Sequence, residues 1–131
     1  MKKTGLLNQP LSAVIAGLGH NDTLCIADAG LPIPASTQRI DLAVSAGIPS
    51  FFDTLRAVLG EMKVERAIVA QEMTERGPET YQALLELLAG VPVVFETHED
   101  FKRLTATCRA VVRTGEFTPY ANVILVAGVV F

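Results

Sequence analysis

At 131 residues the chain has the length of one domain and enough material for a core without disulfide or metal staples. Only 19% of it is charged, the net charge is -3, the pI is about 5.3, and no basic run or stripe occurs. That balance excludes phosphate-neutralising nucleic-acid binding and a polybasic membrane patch, while the 50% of hydrophobic residues is more than one small core conceals, so oligomerisation is expected.

The predicted elements follow one another as a single domain over residues 1–131, with no internal repeat, low-complexity tract or linker. Asn8-Gln9-Pro10 reads as a helix start, with Asn8 as the cap and Pro10 in the first turn. Leu11, Val14, Ile15 and Leu18 then recur at helical spacing until Gly19 stops the run. Residues 23–27 are a short continuous apolar stretch, which predicts a strand buried on both faces. Gly30-Leu31-Pro32-Ile33-Pro34 predicts an extended loop, and residues 39–44 a second strand ended by Gly47 and Pro49. A helix is predicted over 51–62, a strand over 67–70, a helix over 78–88 stopped by Gly90, and a strand over 92–95. A helix over 98–107 capped by Thr97 and two last strands over 110–113 and 123–130 complete the chain. The alternation predicts an α/β fold of three layers, a mostly parallel sheet with helices on both faces. Strand order is not legible at this level.

Cys25 and Cys108 stand far apart, with no CxxC and no Cys/His cluster, and are expected as reduced core residues rather than a disulfide or zinc ligands. Lys2 and Lys3 precede no apolar segment with a cleavage site, and no apolar run approaches about 18 residues. A soluble cytoplasmic protein is expected.

A few polar residues stand beside buried-type sequence. His20, one of two histidines, ends the first helix and lies eight residues before Asp28. It reads either as a surface imidazole favoured by the helix macrodipole or as an acid–base group working near neutral pH. Asp28 follows directly on a buried strand, a costly place for a carboxylate unless it is paired or faces a cleft. It is a turn former in Asp28-Ala29-Gly30 or, because ligands of open α/β sheets sit beyond the strands' carboxyl ends, an acceptor for two vicinal hydroxyls. His98 begins a helix, with Lys102 one turn on; both are solvated or both face a site. Tyr120 and Asn122 flank Ala121 at the entrance to the last strand and are expected on one face, as edge decoration or as a phenol and a carboxamide aimed at a polar ligand. Arg113-Thr114-Gly115-Glu116 reads as a structural turn with an internal ion pair.

Other templates fail. GxGxxG, GxxxxGK[ST] and GxSxG are all absent, so dinucleotide, P-loop and hydrolase-elbow readings have no support. His20, His98 and Asp28 match no metal-ligand spacing, and no metal is expected.

Four segments together resemble the ribose pyranase and fucose mutarotase family, and its ribose branch in particular. They are Leu18-Gly19-His20-x-Asp22, Ile26 through Pro34, Thr97-His98-Glu99-x-Phe101-Lys102 and Arg113 through Asn122. The likeness runs from the first residues to the last and is weakest over 71–94; Asn21 stands where the resemblance leads one to expect threonine. The resemblance implies a cofactor-free isomerase that interconverts the pyranose and furanose forms of D-ribose. It implies His20 as proton donor, and Asp28, His98, Tyr120, Ala121 (through its backbone) and Asn122 as sugar contacts, with Lys102 as a further candidate. It also implies a cytoplasmic ring-shaped homo-oligomer, a decamer, whose sites are shared between neighbouring subunits.

The chemistry agrees with the residue types. Both ring forms are hemiacetals of one open-chain aldehyde, so conversion needs a proton delivered to the ring oxygen and one removed from the anomeric hydroxyl. An imidazole can give and retake a proton near neutral pH, worth roughly 10²–10⁴ in rate. On this view Asp28 orients hydroxyls and helps to hold His20. The alternatives are a mutarotase for fucose or a related sugar, which would use the same groups at one ring size, and a non-catalytic sugar-binding accessory protein, which would not need a titrating His20.

Overall fold

Apolar strands that lack a polar face must be covered on both sides, and this requirement organises the molecule. In the computed structural model, which describes all residues from Met1 to Phe131, six strands form one sheet in the order β2-β5-β1-β6-β3-β4. They are β1 (Thr23–Ala27), β2 (Gln38–Asp41), β3 (Val64–Ala70), β4 (Val93–Glu96), β5 (Ala110–Arg113) and β6 (Val123–Ala127). The β1/β5, β2/β5 and β3/β4 pairs are parallel, whereas β6 runs antiparallel to both β1 and β3. The sheet is therefore mostly parallel, as expected, with one reversed strand at its centre. The carboxyl ends of β1 to β5 and the entrance to β6 consequently lie along one edge.

Side chains alternate between two cores. Leu24 and Ile26 of β1, Ala110 and Val112 of β5, and Val123 and Leu125 of β6 face the larger one. There they meet Leu11 of α1 (Gln9–Gly17), Phe51, Leu55 and Val58 of α2 (Phe51–Leu59), Met73 of α3 (Glu72–Arg76), and Leu84 and Leu88 of α4 (Pro78–Leu88). Cys25, Ala27, Val111 and Ile124 face the smaller core, closed by Phe101 of α5 (His98–Leu104), Leu31 and Cys108. The three layers predicted are present, but the helical layers are unequal. Both cysteines are free and buried, and burial pushes the Cys25 thiol well above its ordinary range.

Local chemistry sets the helix starts. The Asn8 side chain accepts from the Leu11 amide at 3.0 Å, Ser50 from Asp53 at 3.0 Å and Thr97 from Asp100 at 3.1 Å. Several ends differ from expectation. The second helix stops at Leu59, three residues early, because after the Gly60 cap the Glu61 amide turns to the Val58 carbonyl, a tighter step that breaks the helical ladder. The last predicted helix becomes α5 plus a 3₁₀ turn over Thr105–Thr107. The second strand covers Gln38–Asp41 only, and β6 ends at Ala127. The short helix α3 was not expected from the sequence.

Candidate functional site

The edge that collects the carboxyl ends of the strands opens into a cleft of about 640 Å³. Each wall comes from a different element. Asp28 follows β1, Arg76 closes α3 after β3, His98 opens α5 after β4, Arg113 ends β5, and Tyr120 precedes β6. A ligand here would sit where open α/β sheets hold theirs.

Asp28 is held from three sides. Its Oδ1 accepts from the amides of Gly30 at 2.9 Å and Leu31 at 2.8 Å, and its Oδ2 from Asn122 Nδ2 at 2.9 Å. The Asn122 carbonyl oxygen accepts in turn from the Asp28 amide at 2.8 Å. Asn122 is fully buried and does not line the cleft. The expectation of a phenol and a carboxamide presented together is therefore corrected. Tyr120 has a left-handed backbone (φ 64°), which breaks the strand alternation and turns the phenol into the cleft while the Asn122 carboxamide locks Asp28. Ala121 lies between them, buried, with its amide donating to the Thr118 carbonyl at 3.3 Å.

His98 packs edge-on against Tyr120, with ring centroids 5.0 Å apart. Its backbone amide donates to the Glu72 carboxylate at 2.9 Å, and its Nδ1 is buried with no partner among the chain's own groups. Lys102 does not reach the cleft; it pairs with Glu99 at 2.7 Å, and that ammonium lowers the Glu99 carboxyl below its ordinary value. The predicted ion pair within 113–116 is also absent. Arg113 forks onto Asp41 at 3.1 and 3.2 Å and donates to the Ala29 carbonyl. Glu116 accepts from the Phe51 amide at the start of α2 and from the Thr118 hydroxyl.

Two site residues escape a reading of the sequence. Arg76 lies over the Tyr120 ring, 5.8 Å from its centroid and 3.5 Å from its hydroxyl, and makes no ion pair, so it is a cleft cation free to meet a ligand. Glu72 holds the start of α5. Both sit on α3, too short to show a period.

His20 stands elsewhere. It precedes β1 while Asp28 follows it, so the two lie at opposite edges of the sheet, roughly 17 Å apart for a five-residue strand. The half-exposed imidazole is held by Glu65, with Nε2 3.0 Å from Oε2. The expectation that Asp28 helps to hold His20 is corrected: within one chain Asp28 is engaged by Asn122 and the 30–31 amides.

Fold and cleft define a small α/β protein whose binding edge offers an anchored carboxylate, an imidazole, a phenol and a guanidinium, and no glycine-rich phosphate loop. The chain belongs to the RbsD / FucU transport protein family, whose model matches residues 1–130. It is 57% identical to the D-ribose pyranase of Coprothermobacter proteolyticus and 56% to that of Symbiobacterium thermophilum, over all of each chain. Among solved structures it resembles Bacillus subtilis RbsD complexed with D-ribose, at 47% identity over the whole of both chains and a TM-score of 0.96. The Streptococcus pneumoniae fucose mutarotase in complex with L-fucose shares the fold (TM-score 0.81) at 23% identity, over 95% of this chain and 94% of that one.

Proposed function

We propose that this protein is a D-ribose pyranase, interconverting the β-pyranose and β-furanose forms of D-ribose. The observation that carries the reading is the convergence of Asp28, His98 and Tyr120 on one cleft of a chain that matches D-ribose pyranases from end to end. Much greater identity to the ribose relatives than to the fucose mutarotase favours ribose over the mutarotase alternative.

In this mechanism protonated His20 gives its proton to the ring oxygen as the bond from that oxygen to the anomeric carbon breaks. The anomeric hydroxyl loses its proton to water and becomes the aldehyde. Asp28, fixed by Asn122, accepts from the sugar hydroxyls, and His98 and Tyr120 keep the open chain from drifting. The other hydroxyl then attacks the carbonyl carbon and passes its proton to His20, while the carbonyl oxygen regains one from water. The carbonyl arises inside the substrate, so the chemistry calls for no cofactor.

Because His20 and the cleft lie at opposite edges of one sheet, the reading takes His20 from a neighbouring copy. A ring-shaped homo-oligomer, a decamer with sites shared between subunits, provides such a neighbour. Exposed Phe117, Val130 and Phe131 support burial between copies. A cytoplasmic location is part of the same proposal; no helix is long and apolar enough to cross a membrane.

Saturation-transfer NMR between ribose forms tests the activity, with L-fucose as a parallel arm. His20→Ala should slow exchange by roughly 10²–10⁴-fold and leave ribose binding largely intact. Full activity in that variant refutes the assigned role, and faster exchange of fucose than of ribose moves the assignment to the mutarotase.

A further inference from the structure

The geometry points to Glu65 as the positioning residue for His20, fixing which imidazole nitrogen exchanges the proton; this rests on the proton-donor role proposed above. Three features bring the two side chains together. β3 pairs with β6 through Val64↔Ala127 and Arg66↔Val126, so Glu65 is the extra residue of a bulge, and a bulge re-aims its side chain. The His20 turn is tied to the same strand end, because the Asn21 amide donates to the Ala127 carbonyl at 2.9 Å. Gly128, held by its amide on the Lys63 carbonyl, leaves room for Glu65: a Cβ there would stand 3.1 Å from the Glu65 Cβ.

The pair is open to solvent on both sides, with side-chain exposures of 50% for His20 and 39% for Glu65, so it adds little to stability. Its effect is on the ring. An ionised carboxylate only accepts, so Nε2 must be the donor, in the neutral and the charged imidazole alike. Nδ1 is then the nitrogen that gives its proton to the ring oxygen and takes one back from the attacking hydroxyl. The Nε2–H bond to Glu65 persists through the cycle, because both forms of the ring carry that proton.

The assembled protein and its Glu65→Ala, Glu65→Gln and His20→Ala variants would be compared by ribose exchange kinetics and by the ¹⁵N resonances of the His20 ring. Glu65→Ala should lower kcat on the order of tenfold at unchanged KM, and its neutral ring should lose the uniform Nε2–H form for a mixture of tautomers. Glu65→Gln accepts through its amide oxygen but can also flip and donate, so it should favour the Nε2–H form less uniformly than Glu65 does and recover only part of the rate. An unchanged kcat in Glu65→Ala, or an unchanged ring spectrum, overturns the inference while inactive His20→Ala leaves the donor role standing. Active His20→Ala overturns both.

Discussion

Asp28 shows how much one side chain depends on residues far away in sequence. Its position after a buried strand marks it as unusual, but its partner Asn122 lies 94 residues on, and only the β1/β6 pairing brings them together. Asn21 has a comparable logic. Its φ of 68° is one that asparagine adopts more readily than a β-branched residue, a physical reason for asparagine where threonine was expected. Beside it, Asp22 fastens the turn that carries His20. Its carboxylate accepts from the Gly19 amide at 2.8 Å and faces Arg109 at 3.0 Å. These contacts, the amide first and the guanidinium second, hold its pKa below the ordinary 3.8. A depressed carboxyl contributes stability above its unfolded value, and that contribution is lost as pH falls through the folded one. The Gly19 amide resonance should therefore titrate with a midpoint below 3.8, and Asp22→Asn should flatten the titration.

At the scale of elements, strands and capped helices were legible because each carries its own signal. β1, β5 and α4 have the predicted limits, since apolar runs and Pro78 mark them locally. The five-residue α3 has no room for a period, and with it Glu72 and Arg76 were missed. Loop-to-loop contacts were equally hidden. Gly115 donates to the Pro49 carbonyl at 2.9 Å and accepts from Gly47, clasping the 45–49 loop to the turn that follows β5. A Cβ on Gly115 would stand 2.5 Å from the carbonyl oxygens of both Ile48 and Ser45, backbone atoms that cannot swing aside. Gly115→Ala should therefore cost about 1–3 kcal/mol in denaturant unfolding, the range for forced overpacking. A variant as stable as the parent would mean that the clasp is not formed.

For the molecule as a whole, the decisive fact is that the proposed acid and the cleft occupy opposite edges of one sheet. If copies complete each other's sites, two inactive proteins should repair one another. His20→Ala subunits mixed with Asp28→Ala subunits and reassembled at equal ratio should restore about a quarter of the sites by random pairing. Exchange kinetics on the mixture checks this, and mixing without gain counts against shared sites. Light scattering reports the assembly directly, as a multiple of the 14.0 kDa chain, tenfold for a decamer.

By itself the amino-acid sequence determined the α/β class, most elements, and the candidacy of Asp28, His98 and Tyr120, because strand runs, caps and polar residues beside apolar stretches are local and one-dimensional. The tertiary structure alone decided that Asn122 holds Asp28 instead of facing the cleft, that Arg76 enters it, that Lys102 turns away, and that His20 rests on Glu65 at the far edge. Those facts follow from which strands lie side by side and which of them is reversed, and pairing between distant segments is settled by the packing of the whole chain.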